Sequence, residues 1–114
     1  MEIKVFHNNR CSKSRSAIDF LTKKKISFET IEYLKIPLTT QLITELIRKL
    51  GIPAKELIRT SEADYNTHFK GKDLSEAEWI EAMMKFPKLI ERPIVVRGEK
   101  AVIGRPTERI SELL

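Results

Sequence analysis

The stretch His7-Asn8-Asn9-Arg10-Cys11-Ser12-Lys13-Ser14-Arg15 holds the one cysteine of the chain. A free cysteine is often a buried apolar filler. Cys11 fits that role badly, because Asn8, Asn9, Arg10, Ser12, Lys13, Ser14 and Arg15 give it no apolar neighbour. The stretch also joins an apolar strand pattern to a helical one, so the unpaired amides of a helix start are expected near the sulfur. Those amides, the helix dipole and the nearby cations all favour the thiolate, which is the nucleophilic form. The residue types therefore point to a reactive thiol. Ser14 stands three residues on, where a Cys-x-x-Cys pair would place its second sulfur. A hydroxyl there can donate to a thiolate but cannot close a disulfide. If Cys11 turns over, the second thiol must come from another molecule, such as glutathione or a partner protein. Ser12 and Ser14 also have a plain reading as N-cap and first-turn residues.

Three arginines are the other candidates for chemistry. Arg92 precedes Pro93 and Arg105 precedes Pro106, and a residue before proline is biased to extended backbone. The two bracket an expected hairpin, one at each end. Guanidinium groups that converge would bind a tetrahedral oxyanion through paired, charge-assisted hydrogen bonds. Spacing alone does not show convergence, and by type alone Arg59, Arg92 and Arg105 each read as solvated surface residues. His7 and His68 are isolated and lack metal-ligand spacing, so no metal is expected.

The elements that must position these groups follow from periodicity. The chain has 114 residues, 41% hydrophobic and 32% charged, which suits one folded domain. Its net charge of +5 reads either as a lysine-rich solvated surface or as the mark of an anionic partner. A lone cysteine forms no internal disulfide and excludes paired-cysteine zinc patterns. Residues 1–10 do not read as a signal peptide, and no apolar run is long enough to span a bilayer. A reducing cytoplasm is the expected compartment.

Ile3-Lys4-Val5-Phe6 reads as a strand, about Ser12 to Lys24 as a helix, and Ile26 to Leu34 as a second strand. Such a unit normally carries parallel strands. A helix follows from Thr39-Thr40 to Leu50, stopped by Gly51 and Pro53. A turn over Ala54 to Ile58 and a weak helix within Glu62 to Phe69 come next. Ser75-Glu76-Ala77-Glu78 is a capping box for a helix that ends before Pro87. Ile94-Val95-Val96 and Ala101-Val102-Ile103 flank a Gly98-Glu99 hairpin turn. Pro106-Thr107 opens a last helix with Ile110, Leu113 and Leu114 on one face. The expected order is β-α-β, a helical block, then β-β-α.

Three motifs together, His7-Asn8-x-Arg10-Cys11-Ser12-Lys13-Ser14-Arg15, Glu91-Arg92-Pro93-Ile94-Val95-Val96 and Gly104-Arg105-Pro106, resemble those of the glutaredoxin-coupled arsenate reductases. The resemblance runs over nearly the whole chain. It implies an α/β, thioredoxin-like fold: a single domain over residues 1–114 with a helical insertion at about 38–91. It implies that Cys11 is the nucleophile toward arsenate and that Arg59, in Leu57-Ile58-Arg59-Thr60, joins Arg92 and Arg105 in binding it. Pro93 would be the cis-proline beside the cysteine, and His7, Asn8 and Ser14 would support the loop and the thiolate. Glutathione is the implied co-substrate and glutaredoxin the implied partner, with no bound cofactor. The family usually has proline where this chain has Asn9, a change that removes no reacting group.

Two rival readings accompany this one. A glutathione-dependent thiol reductase would use the same basic pocket for glutathione's carboxylates. A redox-linked regulator binding RNA polymerase would use the positive charge, but related regulators often carry Cys-x-x-Cys where this chain has Cys11-x-x-Ser14. The lysines are scattered and not interleaved with aromatics, so neither nucleic acid nor a membrane is an expected partner.

Overall fold

The computed structural model describes residues 2–8 and 11–114. Asn9 and Arg10, and with them the expected effect of Asn9 on the cysteine loop, lie outside the described residues. Two compact units are present. One comprises residues up to Ile36 together with Arg92–Leu114, and the other comprises Pro37–Glu91.

The first unit has the strands β1 (Ile3–His7), β2 (Phe28–Glu32), β3 (Ile94–Arg97) and β4 (Lys100–Ile103), and helix α1 (Ser12–Lys23) between β1 and β2. The sheet order is β2-β1-β3-β4. β1 runs parallel to β2 and antiparallel to β3, and β3 pairs antiparallel with β4. The β-α-β start, the returning β-hairpin and the mixed four-stranded sheet make this a thioredoxin-like fold. β-branched and aromatic residues suit the central strands, where Val5, Ile94 and Val95 are fully buried. Side chains alternate across a strand, so Ile3 and Val5 share a face with Val95 and Val102. That face packs on Ala17 and Leu21 of α1 and on Ile110 and Leu113 near the C-terminus.

Three details differ from the sequence expectation. β2 is shorter than Ile26 to Leu34, because the Lys35 amide donates to the Glu32 carbonyl (2.9 Å) and turns the chain. The last helix is not α but 3-10, over Thr107–Leu113. In a 3-10 helix positions i and i+3 eclipse, which suits Ile110 and Leu113. Both are buried, whereas Leu114 is 45% exposed and leaves the apolar face. Finally, the helix expected to run to about Lys24 ends at Lys23 and is closed by Lys25. Its φ is +58°, the Lys25 amide donates to the Thr22 carbonyl, and the Ile26 amide donates to the Leu21 carbonyl. This is a Schellman stop with lysine where glycine is usual.

The second unit has helices α2 (Thr40–Leu50), α3 (Ala63–His68) and α4 (Glu76–Lys85), with 3-10 turns at Ala54–Leu57 and Pro87–Leu89. The Thr39 hydroxyl accepts the Leu42 amide, and Gly51 ends α2 at φ +68°. The Ser75–Glu78 capping box forms as expected: the Ser75 hydroxyl accepts the Glu78 amide, and the Glu78 carboxylate accepts the Ser75 amide. Next to it, the Glu76 carboxylate accepts the Ala54 amide (2.9 and 3.1 Å), tying α4 to the first 3-10 turn. Ile58 and Ile90 form an antiparallel bridge. Among the described residues no helix is long and apolar enough to cross a membrane.

A left-handed backbone is unfavourable for lysine and free for glycine. Lys25→Gly should therefore stabilise the protein by about 0.5–1 kcal/mol. A higher urea midpoint with an unchanged slope would show it; an unchanged or lower midpoint would refute it.

Candidate active site

Register explains how distant residues meet. The last β1–β2 pair is His7↔Glu32, so Asn8 comes level with Tyr33. The last β1–β3 pair is Phe6↔Ile94, so two residues further on Asn8 also comes level with Arg92. The β3–β4 pair Ile94↔Ile103 sets Arg92 level with Arg105. Extended one residue past β1 and β2 and two past β3 and β4, these registers line up Tyr33, Asn8, Arg92 and Arg105 in one row just beyond the strand ends. The Arg105 Nε donates to the Arg92 carbonyl (2.8 Å), closing the row at one side. One residue back, the Gly104 amide donates to the Pro93 carbonyl (2.8 Å). Gly104 packs closely there, because a Cβ would stand 3.1 Å from Pro93 Cγ and push against it. The Arg92–Pro93 and Arg105–Pro106 peptides are both cis.

Cys11 enters beside this row as the N-cap of α1, with extended backbone at φ −97° and ψ 122°. Its amide donates to the Asn8 carbonyl (2.9 Å), which turns the chain from β1 into the helix. Ser14 is fully buried, and its hydroxyl oxygen accepts the Asn8 amide (3.2 Å). Ser14 thus braces the loop, and its own amide faces the sulfur.

The thiol is partly exposed, and Arg105 Nη2 lies 3.7 Å from Sγ. Burial pushes the Cys11 pKa up. The Arg92 guanidinium and the amides of Ser14 and Lys13 outweigh it, and bring the value from 9.0 down to about 6. The thiolate is therefore the main form at neutral pH. Arg92 Nε and Nη1 are buried with no hydrogen-bond acceptor among the described residues. Buried donors without acceptors are unfavourable unless something brings one.

Of the remaining expected site residues, His7 and Pro93 belong to the sheet unit and Arg59 to the other. His7 lies in β1, only 8% exposed. Burial lowers its pKa, Glu32 opposes that and Lys35 adds to it, so the ring is neutral at pH 7. Pro93 is fully buried at the start of β3. Arg59 belongs to the second unit. Its amide donates to the Leu89 carbonyl (2.7 Å), and its side chain is paired with Glu91 (3.3 Å) and Glu62 (3.4 Å). In the sequence Glu91 stood in the motif before Arg92 and Glu62 at the start of a weak helix, neither with a role of its own. Tyr33 was read only as a strand residue; its approach to the site depends on strand register, which no local pattern shows.

A thiolate at a helix start, with two arginines and a cis Arg92–Pro93 peptide at the strand ends of a thioredoxin-like sheet, defines a class of thiol-based enzymes. Comparison with known proteins narrows this. The chain belongs to the ArsC family, whose model matches residues 6–113. It is 40% identical to the protein YfgD of Escherichia coli K12 over 115 residues, covering 99% of this chain and 97% of the other. It is 37% identical to an arsenate reductase of Haemophilus influenzae over 116 residues, covering all of both chains. Among solved structures, an arsenate reductase from Vibrio cholerae matches with a TM-score of 0.94 and 35% identity, covering 100% of this chain and 98% of that one.

The thiolate fraction should set the rate of Cys11 alkylation by iodoacetamide. Because the pKa is lowered, the rate should rise with pH through about 6 and level off near neutrality. Removing the Arg92 donor leaves burial less opposed, so Arg92→Ala should raise the midpoint by about one unit or more. A midpoint near 9 in the parent protein would contradict this account of the site.

Proposed function

We propose that the protein is an arsenate reductase, using Cys11 as nucleophile and glutathione with glutaredoxin as external reductants. The observation that supports it best is the pairing of a low-pKa thiol with two guanidinium groups, one of which keeps two buried donors without acceptors. Arsenate is a multiply charged anion that would repel a bare thiolate. Arg92 and Arg105 offset the repulsion and hold the arsenic near sulfur, so orientation and electrostatics do most of the catalysis.

The Cys11 thiolate attacks arsenic(V), forming a sulfur–arsenic bond as one oxygen leaves as water. Two external thiols are then oxidised to a disulfide; their two electrons reduce arsenic(V) to arsenic(III), and their two protons leave with a second arsenic-bound oxygen as water. Water displaces the Cys11 sulfur, releasing arsenite and restoring the thiolate. The sum is arsenate plus two thiols giving arsenite, a disulfide and water. Ser14 cannot supply either thiol, which agrees with the use of outside reductants. No metal or bound cofactor takes part.

His7, Asn8, Ser14 and Pro93 are assigned to the support of the loop and the thiolate. For Arg59 as a third substrate arginine, the support is the family pattern alone, since two carboxylates flank it in its own unit.

Arsenate-dependent NADPH oxidation, coupled through glutathione, glutaredoxin and glutathione reductase, tests the proposal. The parent protein should show it, and Cys11→Ser should lose it to background. Arsenate-independent reduction of a glutathione mixed disulfide, with no response to arsenate, would favour a thiol reductase of another substrate instead.

A further inference from the structure

Tyr33 is the one row member with no role so far. It follows β2 in a turn held by the Glu32–Lys35 backbone hydrogen bond and by an ion pair between the same two residues (3.2 Å). Turn residues normally face water. Here Leu34 and Ile36 are 36% and 40% exposed, yet Tyr33 is 2% exposed and its hydroxyl is buried as well. A buried phenol needs a polar neighbour. The β1–β2 and β1–β3 registers bring Tyr33 and Arg92 to the same level on either side of Asn8. At that distance only long side chains meet, and both are long.

We propose that Tyr33 is a positioning residue whose buried hydroxyl, level with Arg92 across the strand ends, holds that guanidinium against Cys11. The electrostatics agree: burial works against the charge of Arg92, while Cys11 and Tyr33 are the groups that favour it. This inference rests on the proposed function only in that the oriented guanidinium would serve the oxyanion.

The choice of a phenol has a chemical reason. An arginine beside a reacting centre must be fixed in place, yet keep its charge for the thiolate and the substrate. A carboxylate would fix it and neutralise it, as Glu62 and Glu91 do around Arg59. A neutral phenol oxygen can accept from a guanidinium and cancels none of its charge. Tyr33 so limits the rotamers of Arg92 while leaving the positive charge directed at sulfur.

Tyr33→Phe keeps the ring and removes only the hydroxyl. The Cys11 titration, followed by thiolate absorbance at 240 nm, is compared in four proteins: parent, Tyr33→Phe, Arg92→Ala and the double variant. A positioning role requires non-additivity. Tyr33→Phe should raise the Cys11 pKa by about half a unit in the parent and leave it unchanged in the Arg92→Ala background. Equal shifts in both backgrounds, or no shift in either, would overturn the proposal. The titration uses no arsenate, so a failed arsenate assay beside a coupled cycle would sink the function and leave Tyr33 in place. An active reductase with no coupling would do the reverse.

Discussion

A negative charge on one sulfur is what the first unit is built to hold. Burial alone would keep Cys11 protonated at neutral pH, and the opposing groups have to come from separate parts of the chain. The helix supplies the amides of Lys13 and Ser14, the β3 end supplies Arg92 and the β4 end supplies Arg105. None is close to the others in sequence except the amides. The sheet is therefore the instrument of the site, because its register decides which residues finish in one row. The packing of Ile3, Val5, Val95 and Val102 on α1 and the C-terminal 3-10 helix fixes that register by keeping one face of each strand dry.

The two kinds of arginine environment show how charge is managed. Arg59 sits between Glu62 and Glu91, and in the helical unit these two carboxylates more than offset its charge. Arg92 has no carboxylate among the groups that act on it; its partners are a thiol and a phenol. Arg105 divides its donors between the Arg92 carbonyl and the Cys11 sulfur. Positive charge therefore stays uncompensated where an anion would react. The net charge of +5, by contrast, says nothing about where that imbalance lies.

Much of this was legible in the sequence, for reasons that differ by element. Thr39, Gly51 and the Ser75–Glu78 box act locally, so α2 and α4 could be bounded from residue type. The hairpin was readable from Gly98, which takes φ +61°. The C-terminal helix was misjudged because Ile110, Leu113 and Leu114 satisfy an α-helical face in projection, and only packing selects the three-residue repeat. Cys11 stood out by composition and Arg92 and Arg105 by the prolines after them, while a shared role for the arginines came only from the family pattern. Glu62 pairs with Arg59 three residues before it, a spacing that by itself marks no site, whereas Tyr33 and Glu91 were missed because each matters through a partner far away in the chain. Pairing register, not propensity, carries that information.

The N-cap position of Cys11 has a consequence for damaged copies of the protein. The sulfur is acidic only while strand ends and helix start are in place, since its ordinary pKa is 9.0 and its folded value is about 6. Ionisation therefore favours the folded chain progressively from about pH 6 up to about 9, and that contribution disappears as pH falls through 6. Unfolding at neutral pH uncovers the thiol but also returns its proton. A misfolded molecule thus exposes a quieter sulfur than a native one, and chemical reactivity becomes a property of the native fold and not of access to solvent.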